Sequence, residues 1–344
     1  MWAGAFSFLV LSLSGQTPVH TLPSPDFADL VARADWHEQH TGKTMQGTVI
    51  DADVDFFEFA SPSDLPNGGT EWRMAVAVPG APALCVYFET FHLPVGASLS
   101  LRTPEGAFDQ PFTEGPIDHT ENNAHGRWVS GEIPGEVVEL VYRQPAGVVG
   151  QPSMQIFGVG CFFRYLWLDG DYDVLGESGG RGSDPCQVDV NCPEGADWLC
   201  QRNAAVRLRV TQNGGIFLCS GSMVNNTARD CRQLMLSSFH CVDDVEEDEW
   251  SLLKIRYNYE YLECGGTASI NSHDRTGVVY LTGSQDVTAN SINGSDFLFV
   301  EVEDPIPSSW DVYYAGWDET GIPATSGVGI HHPSGDRKQI STYT

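Results

Sequence analysis

Along the first half of the chain, apolar and polar positions alternate in short runs that break every few residues. Period-two alternation marks a half-buried strand, because successive side chains of an extended backbone point to opposite faces. On this basis strands are predicted at 48–50, 72–78, 84–88, 98–101, 127–130, 137–142 and 155–159. Turn residues separate them at short intervals, which predicts an antiparallel β-sandwich over 47–168. Ahead of it, in a mixed segment 16–46, Phe27, Leu30, Val31 and Ala34 recur at helical spacing and predict a short helix or turn.

The pattern then lapses and resumes. Residues 169–185 are mostly Gly, Asp and Ser with few apolar positions, and read as a linker that exposes a cleavage site, with Arg181 a candidate residue before the cut. From Cys186 onward, strands are predicted at 204–210, 216–224, 234–236, 252–257, 277–281 and 294–302. Two of them carry candidate chemistry. Leu234-Met235-Leu236 leads through two serines into Phe239-His240-Cys241, and Ser295-Asp296-Phe297 opens the last strand. A histidine and an aspartate at strand ends are two of the three residue types of a Ser-His-Asp triad. Neutral imidazole, with an unperturbed pKa of about 6.5, accepts a serine proton near neutral pH, and a carboxylate on its other nitrogen fixes the tautomer. His240 is therefore the candidate general base and Asp296 its orienter. The bland reading of an isolated His-Cys pair is a structural histidine.

Several ordered blocks give these residues a context. They are Cys186-Gln187-Val188-Asp189-Val190-Asn191-Cys192-Pro193-Glu194-Gly195, Gly221-Ser222-Met223-Val224-Asn225-Asn226-Thr227, Phe239-His240-Cys241, Ser295-Asp296-Phe297, Ala315-Gly316-Trp317-Asp318 and Ile330-His331-His332-Pro333, followed by Lys338 and Ser341. Together they resemble the trypsin-like serine proteases, most closely the bacterial lysyl endopeptidase group. Phe91-His92-Leu93-Pro94-Val95-Gly96-Ala97 and the stretch from Gly131 to Leu140 resemble the pro-region of the same group. The resemblance implies an all-β chain: a signal peptide (1–15), the segment 16–46, a sandwich pro-region (47–168), a linker (169–185) and a trypsin-like domain (186–344). Only the first of that domain's two β-barrels is expected to be complete. It also implies a serine nucleophile, which the family carries after the position of Thr344, so a fragment lacking the serine is expected.

Disulfides at Cys219–Cys241 and Cys192–Cys264 are likewise what the resemblance implies. Nine cysteines leave at least one without a partner in the chain. Cys200–Cys231 and Cys85–Cys161 are the further expected pairs, with Cys186 left over because its partner in the family lies later. Gly176-Glu177-Ser178-Gly179-Gly180 matches a nucleophile loop, but it precedes the histidine and lacks flanking strands, so it reads as linker. Ser334 lacks the glycine that precedes a nucleophile.

Composition narrows the function further. A net charge of −28 excludes a generic nucleic-acid binder, since phosphate recognition needs Lys and Arg. Residues 1–15 are apolar, end in small residues, and are too short to span a bilayer, so they read as a secretory signal. No other apolar run is long enough to cross a membrane. Export from a bacterial cell would permit disulfides. Asp51, Asp53 and Asp55, and separately Asp169, Asp171 and Asp173, raise the question of calcium. Neither group completes a calcium loop, so they read as solvated acids. His37 and His40 miss the zinc-protease spacing, and His331 and His332 read as structural. No cofactor is expected. The expected function is a secreted serine endopeptidase precursor, monomeric and acting on polypeptides. A preference for lysine is only what the closest resemblance implies. The alternative is a non-catalytic, protease-like secreted binding protein.

Overall fold

One strand carries the chain's first half into its second. In the computed structural model, which describes residues 17–107, 112–164, 173–174, 177–178, 186–266, 272–284 and 294–343, Thr44–Asp55 pairs on one edge with Ser153–Phe162. Its other edge pairs with Gly215–Val224. A sheet of 12 strands therefore runs through both halves. On the N-terminal side it continues through Ser153–Phe162 and Ala83–His92 to Trp128–Val129. On the C-terminal side it continues through Gly215–Val224, Ala205–Gln212 and Lys254–Tyr257 to His273–Thr276. Gly215–Val224 also pairs with Leu234–Ser238, which pairs with Phe297–Val302, which pairs with Val278–Gly283.

A second sheet, of six strands, lies against the N-terminal part of the first. Alternation decides which residues meet. Met74, Val76, Leu99 and Leu140 from the smaller sheet and Leu84, Val86, Phe88 and Ile156 from the larger share one core and are fully buried. The helix Phe27–Thr41 is capped by Asp26, whose carboxylate accepts from the N–H groups of Ala28 and Asp29. It stops at Gly42, whose φ of 70° suits glycine in the left-handed cap. The helix runs past the apolar stripe read from the sequence because nothing before Gly42 breaks it. Its buried positions are Leu30 and Ala34. No described helix is long and apolar enough to cross a membrane, which says nothing of a β-barrel.

In the C-terminal half, Val206, Leu208 and Val210 point into a second core with Met223, Met235, Ile255, Leu298 and Val300. The intervening Arg207 and Arg209, with Lys254 and Arg256 on the next strand, point the other way and yet are buried. They meet the N-terminal half. Glu132, 4% exposed, sits among three guanidinium groups: Arg256 at 2.7 Å, Arg207 at 2.9 Å and Arg209 at 3.2 Å. Burial alone would push its carboxyl upward, but the charges of Arg256, Arg207 and Arg209 hold it well below the usual carboxylate range. Arg209 also donates to the Ser130 carbonyl at 2.6 Å, and Lys254 to that of Val129 at 3.0 Å. Arg256 makes a two-pronged pair with Asp274, and Lys43 pairs with Asp243 across the same junction.

The junction also contains a carboxylate out of place. Asp304 is half-buried; burial first, then the charges of Glu121 and Glu303, push its carboxyl up to about 6. A carboxyl raised in the fold contributes stability below its unfolded pKa, near 4, and loses it as pH rises through 6. Asp304→Asn should therefore stabilise the chain by about 1 kcal/mol at pH 7, after discounting for solvent screening. The gain should vanish by pH 4. Thermal melts of both proteins at the two pH values check this; an equal gain at both would contradict it.

Cys192–Cys264 and Cys219–Cys241 are disulfides. The expected Cys85–Cys161 bridge is not formed. In the ladder Cys161 stands opposite Leu84 and Cys85 opposite Gly160, a one-residue offset that turns the two side chains to opposite faces. Cys161 enters the core between the sheets, Cys85 the cluster around Tyr87 and Ile216, and both are buried thiols. The expected Cys200–Cys231 bridge is not formed either. Cys200 lies in the helical turn Leu199–Ala204 and Cys231 in the loop before Leu234–Ser238, where its φ is 63°. Both are exposed thiols, as is Cys186. The last described residues form a small sheet in which Gln339–Tyr343 pairs with Gly327–His331 and with Val188–Asp189.

Candidate functional site

The two neighbouring strands Leu234–Ser238 and Phe297–Val302 run antiparallel, with Ser238 opposite Phe297. The residue just past the end of one and the residue just before the start of the other therefore meet at the same end of the ladder. Past Ser238 the chain turns through Phe239–Cys241, and before Phe297 stands Asp296. Local backbone bonds bind the two corners. The Phe239 N–H donates to the Asp296 carbonyl at 3.0 Å, and the His240 N–H to Asp296 Oδ1 at 2.9 Å. The other carboxylate oxygen, Oδ2, lies 2.6 Å from His240 Nδ1. Asp296 reaches this position with a φ of 47°, a conformation that a non-glycine residue adopts only at a cost.

That geometry assigns the protons. The carboxylate is an acceptor, so Nδ1 carries the hydrogen and Nε2 keeps its lone pair. Nε2 lies 3.8 Å from Cys241 Sγ. The imidazole is 38% exposed and the carboxylate 30%, so the nitrogen can be reached from solvent.

Support comes from three sides. Cys219–Cys241 ties the corner to the Gly215–Val224 strand. Ser237 Oγ donates to the Ser220 carbonyl at 2.7 Å, and the Ser220 hydroxyl accepts from the His332 N–H at 2.9 Å. On the third side, Gly283 lies under the Phe239 ring, where an added Cβ would come within 2.6 Å of a ring carbon. Neither Ser220 nor Gly283 stands out in the sequence, because small residues beside a motif carry no signal of what they touch.

The remaining candidates are not part of the His240–Asp296 pair. His332 is buried; burial, then the nearby Lys338 charge, holds its pKa well below the usual histidine range, and its Nδ1 bonds the Asp336 carbonyl at 2.8 Å. Lys338, pushed down to about 8 by burial, donates to the Arg202 carbonyl at 2.6 Å. Ser334 sits in a tight turn with φ 50°. His40 bonds the backbone of its own helix. Asp55 caps the short helix Phe56–Phe59, and Asp53 takes a hydrogen bond from Gln155. The side chains of Asp169, Asp171, Asp173, Ser178 and Arg181, and the signal segment 1–15, lie outside the described residues. Among the described residues, the one group of three metal-ligating side chains is Cys219, His240 and Cys241.

The lysyl endopeptidase C-terminal domain family matches residues 180–344. Over 287 residues the chain is 29% identical to a lysyl endopeptidase of Pseudomonas aeruginosa. The alignment covers 81% of this chain and 58% of that protein, so the similarity is distant and the chain spans little more than half the relative's length.

Proposed function

We propose that this chain belongs to a secreted serine endopeptidase precursor in which His240 is the general base and Asp296 its orienter. The observation that carries the reading is the 2.6 Å contact between His240 Nδ1 and Asp296 Oδ2 at the shared end of two paired strands. In this reading Nε2 takes the proton of a serine hydroxyl as that oxygen attacks a peptide carbonyl. The Nδ1 side of the ring stays tied to the carboxylate, which stabilises the imidazolium that forms. Nε2 then returns the proton to the leaving amine. In this reading the serine belongs to the parent chain and is none of the described residues; in the proteases that the sequence resembles it comes later than the aspartate. The relative's name makes the lysyl bond the first candidate substrate, with polypeptides acted on outside a bacterial cell. The two disulfides are in keeping with export.

Residues 47–168 are proposed as a pro-region, 169–185 as the linker to be cut, and 186–344 as the start of the trypsin-like domain, working as a monomer. The test is to incubate the parent chain with an unstructured protein and map the products by mass spectrometry. New C-termini at lysine are the expected result. Cleavage elsewhere would discard the lysine preference, and no cleavage would favour the non-catalytic binding protein.

A further inference from the structure

The corner that holds His240 has the ligands of a second chemistry. Cys219 Sγ, Cys241 Sγ and His240 Nε2 can offer one donor atom each, and these atoms all lie within 4.8 Å of one another. Zinc binds Cys sulfur at about 2.3 Å and His nitrogen at about 2.0–2.1 Å, so a tetrahedral ion holds such atoms roughly 3.4–3.8 Å apart. The observed Cys241 Sγ to Nε2 distance is 3.8 Å. The histidine is also prepared as a ligand. A zinc-bound imidazole almost always gives its other N–H to a carboxylate or carbonyl, which sets the tautomer and raises the basicity of the ligating nitrogen. Asp296 does this at Nδ1, leaving Nε2 with its lone pair beside the two sulfurs. Two cysteines and one histidine, with a fourth position open to solvent, form a known zinc donor set.

What keeps the sulfurs from a metal is their bond to each other. We propose that reduction of Cys219–Cys241 converts this corner into a zinc site composed of Cys219, Cys241 and His240, with water as fourth ligand. A phosphine and one water supply two electrons and two protons; the S–S bond breaks, two thiols form, and the phosphine leaves as its oxide. A dithiol would do the same and leave as a disulfide. Zinc binding then displaces one proton from each thiol to solvent. The metal occupies Nε2, so a reduced, zinc-loaded chain can no longer accept a proton there. This last consequence rests on the catalytic reading of His240; the binding itself does not.

The test reads metal, not activity. The 344-residue chain, with the exposed Cys186, Cys200 and Cys231 changed to serine, is reduced with a phosphine and dialysed against zinc chloride. Bound zinc is then measured, and cobalt(II) is used in parallel to look for thiolate-to-metal absorption. The expected result is one tightly held zinc per reduced chain, absent from the oxidised chain. His240→Ala keeps every remaining cysteine, including those of Cys192–Cys264, and should weaken that site at least tenfold. Asp296→Asn should weaken it about 10- to 100-fold, the usual effect of losing a supporting hydrogen bond. Equal zinc affinity in the reduced 344-residue chain and in its His240→Ala variant would overturn the proposal. So would the absence of stoichiometric zinc from that reduced chain.

Discussion

On the proposed mechanism, alanine at position 240 should cut the turnover of the parent chain about a millionfold, the scale seen when a triad histidine is lost in a comparable enzyme. Asp296→Asn should cost about ten-thousandfold, because Nδ1 then faces an amide that cannot hold the imidazolium in place. Both losses should fall on turnover, since neither group is needed for substrate binding in the proposed mechanism. The two variants combined should lose scarcely more than His240→Ala alone, because residues that act as a unit are not additive. Steady-state kinetics on a lysyl peptide amide would measure all three. A loss below a hundredfold for His240→Ala would mean that the histidine is a structural feature of the corner.

The second large effect lies at the junction of the halves. Glu132→Ala would leave Arg207, Arg209 and Arg256 buried around a cavity, with Arg256 still paired to Asp274. Removing one partner of a buried ionic cluster costs about 3–5 kcal/mol, most of it from the uncompensated charge left behind. The same variant should flatten the acid limb of the stability profile. A carboxyl held below its ordinary range contributes stability above its unfolded pKa, and loses it as pH falls through the depressed value. Urea denaturation at pH 7 and at pH 3 tests both claims. A cost below 1 kcal/mol at pH 7 would show that the cluster is no better than a hydrated surface pair. The strand pairing of Thr44–Asp55 with Gly215–Val224 has a related consequence. On the proposed processing, a cut within 169–185 would leave the two parts held by the shared sheet, this cluster and further ion pairs such as Lys43–Asp243, so dissociation would be a separate event from cleavage.

Much of the strand layout is legible in the residues themselves. The strand pattern read from alternation falls largely within observed strands, because Val206, Leu208 and Val210 must all face one way when the backbone is extended. The meeting of His240 and Asp296 is legible because each stands at a strand end beside a recognisable block. What the pattern cannot reveal is partnership at long range. Alternation sets Arg207 and Arg209 on the face away from the core, and on most strands that face is wet. Their partner, Glu132, stands 75 residues upstream of Arg207, and no local rule connects them. Likewise nothing in residues 44–48 announces that they will pair with 215–218, since ladder bonds are made by backbone. The Cys85–Cys161 expectation fails for a related reason. Two cysteines on paired strands bridge only in the right register, and a one-residue offset is invisible in sequence.

On the proposed reading, His240 activates a serine of the parent chain. Active-site labelling with a fluorophosphonate tests it most directly, because the probe reacts only with a serine whose hydroxyl is activated. The parent chain should label at one serine C-terminal to Asp296 and other than Ser334, and His240→Ala should abolish the labelling. Labelling that persists in His240→Ala, or that appears at Ser178 or Ser334 of the 344-residue chain, would rule out His240 as the general base of a later serine.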